Sequence, residues 1–378
     1  RQNRFFSEGN MELDITKARE QIEKADKEIA VLFEKRMAAA KEVAEYKKVY
    51  GIPIEDKAQE KNVIERNKSF INNSEIADYF ITLTQCLMDL SKKYQHRLNE
   101  GTRIAYNGSQ GAFAYIAAEK IFPQCVLVAY PSFESAYNSV KNGECNLAVL
   151  PIENSYAGEV GAVIDLMYSG ELSINGVYSL PVTHNLIGCK GTVISGIKTV
   201  ISHPQALSQC EKYIKKHNLI TVTAESTSAA AQKVAALQDE TVAAIASAES
   251  AEINGLSVID HDINESKTNA TKFAVFSRAF RPKVNYRKDN KFILMFTIND
   301  EAGALAKVLN VIGENGFNMH VLRSRPVKDK DWQYYFYVEI EGDDNSPSGK
   351  KMLETLESKC ETLKIIGHYS EGGVDIDN

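Results

Sequence analysis

A long run of apolar residues at helical spacing constrains the N-terminal part of this chain more than any other feature. From near Leu13, apolar side chains recur every three or four residues until Gly51 and Pro53 end the pattern. The members of this apolar seam are Ile15, Ala18, Ile22, Ala25, Ile29 and Leu32, then Ala39, Val43 and Tyr46. The spacing places them on one face of a single long helix. Because such a seam needs a partner, we expect two copies of the chain to bury it as a dimer of interlocked helices.

The rest of the chain continues with helical patterns and then changes to short apolar runs. Further helices are predicted from about Glu55 to Ser69 and from an N-cap near Ser74 to Leu98. From residue 102, short apolar runs alternate with helical patterns, which is typical of an α/β fold with largely parallel sheets. We expect two sub-domains here, with the chain crossing near Pro181 and returning at "KFAVF", and a ligand cleft between them.

The C-terminal part has the order strand, helix, two strands, helix, strand. This order predicts a ferredoxin-like α+β sandwich after the basic stretch "RPKVNYRKDN". With 378 residues, the chain is long enough for two or three domains. We predict three: an all-α domain over 11–99, an α/β domain over 102–280 and the sandwich over 290–371.

Composition excludes several classes of function. The net charge of −6 comes from mixed acids and bases without a basic face, which argues against nucleic acid or an anionic membrane as partner. Six scattered cysteines without metal-ligand spacing argue against a metal site and favour a reducing compartment. Since no apolar run reaches the length of a membrane span, we expect a cytoplasmic protein.

Cations interrupt the apolar seam of the first helix. Arg36 stands where the seam predicts an apolar residue, and a buried arginine needs an anion. Lys47 lies about three turns further on, on nearly the same face. Arg19 lies roughly 100° away around the helix, where it could reach a neighbouring chain. A cationic helical interior is therefore predicted.

The other two helices add polar residues at spacings that share a face. These residues are Asp56, Gln59 and Glu60 on the second helix, and Ser91 and Gln95 on the third. Lys47, Asp56 and Glu60 also fit solvated ion pairs on a helix surface. The whole set, with Arg19 and Arg36, closely resembles the all-helical chorismate mutase family over residues 11–98.

That resemblance implies a role for each residue. Arg36 and a cross-chain Arg19 would hold the two carboxylates of chorismate, and Lys47 and Gln95 would donate to its ether oxygen. Asp56 and Glu60 would hold the side of the ring hydroxyl, and Gln59 stands where family members often have Arg. Ser91 belongs to the same polar set. A pericyclic rearrangement needs such positioning and charge stabilisation, and no nucleophile or cofactor.

Polar clusters in the α/β part follow predicted strands. "PIENSYAG" places Asn154 and Ser155 at a strand end, and "SHPQ" places Gln205 at another. "ESTSAA" puts Ser226, Thr227 and Ser228 at the start of a helix, where they fit either an anion site or an ordinary N-cap.

These clusters, followed by Asn-x-Thr-basic-Phe, resemble prephenate dehydratase over residues 102–280. The resemblance implies a periplasmic-binding-like fold of two sub-domains, with the site in the cleft. Thr271 would donate a proton to the leaving hydroxyl, assisted by Asn154, Ser155 and Gln205. Lys272, where the family has Arg, would attract a substrate carboxylate, and Phe273 completes the motif. His184 matches a family position and is also typical of a core histidine.

The C-terminal segment resembles an ACT domain of the phenylalanine-sensing kind. Gly303, Ala304 and Leu305 open a helix, and Ser324, Arg325 and Pro326 match the second family motif, with Arg323 in place of Glu. The resemblance implies that these residues bind phenylalanine at a dimer interface.

The three resemblances together predict one enzyme with two activities, without metal or organic cofactor. It would convert chorismate to prephenate and prephenate to phenylpyruvate, under control by phenylalanine, as a homodimer or homotetramer. Two other interpretations remain open: a dehydratase whose helical part is an inactive dimerisation arm, and an amino-acid sensor without catalysis.

Overall fold

The computed structural model describes residues 15–279, 290–328 and 332–370. The chain separates at Gly101 into two compact units. Residues 11–14, 280 and 371 of the predicted domains and nearly all of the predicted linker lie outside the described residues. In the part of the chain that is described, no helix has the length and apolarity to cross a membrane.

The first unit consists of three helices: α1 (Ile15–Tyr50), α2 (Lys57–Lys68) and α3 (Ala77–Glu100). Gly51 ends α1 in the left-handed conformation, as predicted. A 3₁₀ turn (Ser74–Ile76) precedes α3 and is capped by Asn73, so the predicted cap at Ser74 is wrong by one residue.

Only the C-terminal half of α1 is buried against α3. Ala40 and Ala44 of α1 are buried, and so is a stripe of α3 formed by Thr84, Met88, Ser91 and Gln95. In the N-terminal half, Ile15, Ile22 and Leu32 are each 61% exposed. This half spans about 25 Å at 1.5 Å per residue. The seam predicted from the sequence therefore lies open within one copy of the chain, as expected of a surface that a partner covers.

The described residues of the second unit form fifteen strands in two sheets. The strands are β1 (Arg103–Asn107), β2 (Val126–Tyr130), β3 (Leu147–Asn154), β4 (Gly158–Glu159), β5 (Ser173–Pro181), β6 (Asn185–Gly188), β7 (Thr199–Ser202), β8 (Ile220–Thr223), β9 (Val242–Ala246), β10 (Ser257–Asp260), β11 (Ala270–Ser277), β12 (Asn290–Thr297), β13 (Asn318–Pro326), β14 (Tyr334–Glu341) and β15 (Thr362–Ser370). The helices are α4 (Phe113–Ile121), α5 (Phe133–Lys141), α6 (Gly161–Ser169), α7 (Pro204–Gln209), α8 (Glu211–Lys216), α9 (Thr227–Leu237), α10 (Ala248–Ile253), α11 (Ala304–Glu314) and α12 (Pro347–Glu357).

The predicted crossing of the chain between two sub-domains is confirmed. The chain leaves the larger sheet at the end of β5, and β6 begins the five-stranded sheet, of order β10-β6-β9-β7-β8. It returns as β11, which inserts between β3 and β5. The prediction of largely parallel sheets is wrong, because β11 is antiparallel to both neighbours and β6 is antiparallel to β9 and β10. The pairs β1–β2, β1–β3, β7–β8 and β7–β9 are parallel, whereas the strands that the chain enters on crossing between the sub-domains, β6 and β11, pair antiparallel with their neighbours.

The ferredoxin-like part shares its sheet with the first sub-domain. The ten-stranded sheet has the order β13-β14-β12-β15-β5-β11-β3-β1-β2, with β4 added beside β3. Alternate residues of β12 face two different cores. Phe292 and Leu294 pack in the core that contains α11 and α12, while Ile293 and Met295 join the core formed by α5 and α6. Both faces of the sheet are therefore buried at β12.

The junction between β15 and β5 depends on Gly367. Gly367 lies opposite Ile174 in the parallel pair of these strands. A β-carbon at Gly367 would overlap the backbone carbonyl oxygen of Ile174, and a backbone atom cannot move aside as a side chain can. The close approach of the two strands therefore requires glycine at this position.

We expect Gly367→Ala to lower the free energy of unfolding of the second unit by about 1–3 kcal/mol, the usual cost of overpacking. Gly313→Ala is the matched control, because Gly313 is an exposed residue of α11 and a β-carbon there meets no atom within 4 Å. The control should be neutral or stabilising by up to about 1 kcal/mol. Chemical denaturation measures both, and equal stability of the two variants would contradict the role of Gly367.

Candidate active sites

In the first unit, Arg36 connects α1 with α3. Its Nη1 donates to the carbonyl oxygen of Leu87 at 2.9 Å and to Ser91 Oγ. Burial lowers the pKa of Arg36 from its ordinary value, but a guanidinium stays charged in proteins. The structure thus places a half-buried cation in the helical interior, beside the predicted site residue Ser91.

Three other predicted residues are engaged at the junction between α1 and α2. Lys47 Nζ donates to the carbonyl oxygen of Ile54 at 2.6 Å. Asp56 is the N-cap of α2 and accepts the backbone N–H of Gln59 at 2.9 Å, while the Gln59 side chain is exposed. In one chain, then, Asp56 stabilises the start of α2 as its N-cap, a role that the sequence analysis did not predict for it.

Glu60 and Gln95 lie closer to α3. Glu60 pairs with Lys92 of α3 at 3.2 Å, a residue that the sequence analysis did not single out. Gln95 is 7% exposed, and its Oε1 has no hydrogen-bond partner. A buried amide without a partner is costly, so Gln95 is available to a ligand. Rotating the amide by 180° exchanges its donor and acceptor.

Arg19 does not join these residues within one chain. It is exposed and lies seventeen residues before Arg36 on the same helix. At 1.5 Å per residue the two are separated by about 25 Å along the axis. Arg19 can meet an Arg36 site only in another copy of the chain.

In the second unit, a cavity of about 410 Å³ lies between the two sub-domains. Six predicted residues line it: Asn154, Gln205, Ser226, Thr227, Thr271 and Phe273. The predicted Ser155, Ser228 and Lys272 are not among the lining residues. Lysine and arginine are absent from the lining, as far as the described residues show.

Thr271 is 8% exposed and is held by Asn154 across the strand pair β11–β3. Asn154 Nδ2 donates to Thr271 Oγ1 at 2.9 Å. Asn154 Oδ1 accepts the backbone N–H groups of Tyr156 and Ala157 at 3.0 and 2.9 Å, which fixes the orientation of the amide. Because Thr271 Oγ1 is the acceptor here, the hydroxyl hydrogen of Thr271 can be donated to a ligand.

A buried network continues from Asn154 to the second sub-domain. Asn154 Nδ2 also donates to Asn269 Oδ1 at 3.0 Å, and Asn269 Nδ2 donates to Gln209 Oε1 at 3.1 Å. Gln209 Oε1 accepts a second bond, of 2.8 Å, from His184 Nε2. Sequence reasoning missed Gln209, which carries no local signal, whereas Asn269 is the first residue of the Asn-x-Thr motif.

His184 is held as a neutral imidazole. It is 3% exposed, and burial lowers its pKa, opposed by the hydrogen bond to Gln209. Because Nε2 donates to an amide oxygen, the neutral ring carries its hydrogen there, and Nδ1 has no partner. A second proton would therefore add an unpaired charge to a buried site.

Lys272 points away from the cavity. Successive side chains of a strand face opposite sides, so the neighbours Thr271 and Lys272 cannot both face the cleft. Lys272 Nζ instead lies 3.4 Å from Glu153 Oε2, its partner in the β11–β3 register. This placement does not support the predicted role of Lys272 in attracting a substrate carboxylate.

Two other predicted side chains hold the walls of the cleft together. Ser155 Oγ accepts the backbone N–H of Ala270 at 2.9 Å. Ser228 is fully buried and bonds to Ser226 Oγ at 3.0 Å and to Ser109 Oγ, in the loop after β1, at 2.9 Å. Ser226 is the N-cap of α9, one of the two roles that the sequence left open, and it also lines the cavity.

Residues of the predicted effector motifs lie at the same end of the C-terminal part. Gly303 has a positive φ of 79° and begins α11 without a side-chain cap, followed by Ala304 and Leu305. On β13, Ser324 and Pro326 are exposed. Arg325 faces the other way and pairs with Glu159 and, at 2.9 Å, with Asp165. These ion pairs raise the pKa of Arg325 above its ordinary value, and they engage its guanidinium within the chain.

Family models match all three parts of the chain in order. The model for chorismate mutase type II matches residues 18–96, that for prephenate dehydratase residues 104–281, and that for the ACT domain residues 292–357. A solved structure of prephenate dehydratase in complex with L-Phe from Arthrobacter aurescens is 27% identical, with a TM-score of 0.65, covering 71% of this chain and 90% of that one. A quorum-quenching acylase, GqqA, is 28% identical, with a TM-score of 0.67, covering 71% of this chain and 98% of that one.

Two curated relatives extend over nearly the whole chain. The bifunctional chorismate mutase/prephenate dehydratase of Enterobacter agglomerans is 31% identical over 373 residues, which are 94% of this chain and 96% of the relative. The protein of the same name from Escherichia coli K12 is 31% identical over 376 residues, 95% of this chain and 97% of the relative. The chain therefore belongs to the bifunctional chorismate mutase/prephenate dehydratase family, and it carries the ACT domain at its C-terminal end.

Proposed function

We propose that the protein rearranges chorismate to prephenate in its helical unit and converts prephenate to phenylpyruvate in its cleft. The observation that supports the first step is the half-buried Arg36, a cation whose guanidinium bonds to Leu87 O and Ser91 Oγ and to no carboxylate among the described residues. A dianionic substrate would supply the missing anion. The observation that carries the second step is the hydroxyl of Thr271, oriented by Asn154 in the cleft.

For the rearrangement, the site is complete only when two chains combine. Arg36 would bind one carboxylate, and Arg19 of a second copy the other, because Arg19 lies too far along α1 in the same copy. Lys47 and Gln95 would donate to the ether oxygen, on which negative charge develops as its bond to the ring breaks. Glu60 and Asp56 would lie on the hydroxyl side, with Ser91 fixing the Arg36 side chain.

Arg36→Ala should lower the rate of chorismate consumption by about a hundredfold to a thousandfold, the usual cost of removing one such donor. Arg66→Ala is the matched control, since the guanidinium of Arg66 donates to Oδ1 of the adjacent Asn67 in the last turn of α2. The disappearance of chorismate absorbance measures both. If the parent and Arg36→Ala are equally inactive, the helical unit is a dimerisation arm instead.

For the dehydration, the cleft has to help a hydroxide leave. Prephenate loses its ring carboxylate as carbon dioxide, and the electron pair moves into the ring as the hydroxyl departs. The departing oxygen needs one proton to become water, and Thr271 would donate its hydroxyl hydrogen toward it. Since threonine is a weak acid, it acts here as an oriented hydrogen-bond donor in a site with little water. The N–H groups at the start of α9, beside Ser226 and Thr227, would meet a carboxylate of the substrate.

Thr271→Val should lower the dehydratase rate by about a hundredfold while the mutase rate stays unchanged. The valine keeps the shape and leaves Asn154 bonded to Asn269 and to the carbonyl oxygen of Ala270. Thr271→Ser, which keeps the hydroxyl, should retain most of the activity. Formation of phenylpyruvate from prephenate is the measurement, and a fully active Thr271→Val would exclude the role of the hydroxyl.

Lowering the pH should decrease the free energy of unfolding of the second unit, because His184 is buried as a neutral ring. Its folded pKa lies below the ordinary value of about 6.5, so the neutral ring stabilises the fold above that pH. This contribution is lost as pH falls through the lowered folded pKa. We expect the free energy of unfolding to decrease from about pH 7 to 5 more steeply in the parent than in His184→Gln. Equal pH dependence in the two proteins would show that His184 does not titrate this way.

Phenylalanine is the proposed effector, and a homodimer or homotetramer the proposed assembly. The exposed seam of α1 and the exposed edge strand β13 support assembly. The free cysteines support a cytoplasmic location. Turnover of chorismate to phenylpyruvate with and without phenylalanine tests both activities and the sensor at once. Binding of phenylalanine without turnover would leave only the sensor interpretation.

A further inference from the structure

The side-chain amide of Asn154, which orients Thr271, belongs to a short hairpin in which two negative charges lie opposite each other. Strands β3 and β4 pair Asn154 with Gly158 and Glu153 with Glu159. The two glutamates thus lie directly opposite each other, and like charges at such positions destabilise a strand pair. The hairpin needs cations to hold its shape, and with it the position of Asn154.

Two of those cations come from the ACT domain, and a third, Lys272 of β11, pairs with Glu153. Arg323 of β13 pairs with Glu153 through Nη2, and its Nε lies 3.8 Å from Glu159. Arg325, on the same face of β13, pairs with Glu159 and Asp165. Arg323 is the residue that contacts both of the opposed glutamates. Its side chain and theirs are only about a quarter exposed, so water and salt screen these pairs less than surface ones.

The contacts form a chain from the sensor to the cleft. Glu153 connects Arg323 to Lys272 of β11, at 3.4 Å from the lysine. Asn154 and Thr271, the next residues on the same two strands, face the other side of the sheet and form the hydrogen bond of the proposed active site. A shift of the hairpin would therefore move both ends of that hydrogen bond.

We propose that Arg323 is a positioning residue for the dehydratase reaction: it neutralises the opposed Glu153 and Glu159 and thereby holds Asn154 where it orients Thr271. The ACT domain thus completes the active site by charge, without touching the substrate. This inference rests on the proposed dehydratase activity.

Arg323→Gln tests the inference, because glutamine keeps much of the side chain and removes the charge. We expect kcat for prephenate to fall about tenfold, since small displacements of a catalytic group have such effects, with KM nearly unchanged. The mutase rate of the same protein should stay the same, which shows that the helical unit is folded, and the unchanged KM for prephenate shows that the cleft of the second unit is formed. Lys328→Gln is the matched control: Lys328 lies on the same domain and pairs with Asp165 at 3.2 Å, but does not contact the two opposed glutamates.

A second variant separates charge from packing. If Arg323 acts by offsetting repulsion, then Arg323→Gln combined with Glu159→Gln should recover most of the lost kcat, because one of the two opposed charges is gone. If Arg323 only packs against Tyr337, over whose ring its guanidinium lies at 6.0 Å, the second substitution should recover nothing.

The outcomes are distinct. An inactive parent would overturn the proposed dehydratase activity and this inference with it. An active parent with an equally active Arg323→Gln would overturn the inference alone, and so would a loss that Glu159→Gln does not recover. A loss in kcat that Glu159→Gln restores supports the inference.

Discussion

The second unit depends on one strand that returns to the sheet from which the chain departed. Strand β11 enters between β3 and β5 after the chain has built the whole second sub-domain, so its first residues lie where the two sub-domains meet. Thr271 is therefore placed at the cleft by the topology itself. The hydrogen bond from Asn154 then orients its hydroxyl, and the buried network through Gln209 and His184 connects that hydrogen bond to the opposite wall.

Periodicity in the sequence predicted those features that are local. The seam of α1 and the order of strands and helices in the C-terminal part follow from side-chain spacing, and the structure reproduces them within a few residues. Arg36 was detectable because it breaks a regular pattern. Thr271 required a resemblance, since a threonine at the start of a strand is common.

Other features depend on contacts between distant segments, which one sequence does not display. Glu153 and Glu159 are close in the chain, but Arg323 and Arg325, which pair with them, come from β13, about 170 residues later. Arg325 was predicted to bind an effector, and the structure engages it with Glu159 and Asp165. Lys272 is different, because the alternation of a strand already placed it opposite to Thr271. The sequence alone therefore predicts that Lys272 and Thr271 face opposite sides of the sheet.

The parallel pairing of β15 with β5 bears on how the sensor can signal. The ACT domain and the first sub-domain are hydrogen-bonded into one sheet, with the cores on both faces of β12 filled. If the ACT domain binds the proposed effector, a domain joined in this way transmits the signal through sheet twist or hairpin position, since it does not swing aside on a linker. The pairing of β15 with β5 also makes the loss of the ACT domain costly. A chain without that domain would expose β5 as an unpaired edge strand beside an uncovered core, which favours aggregation.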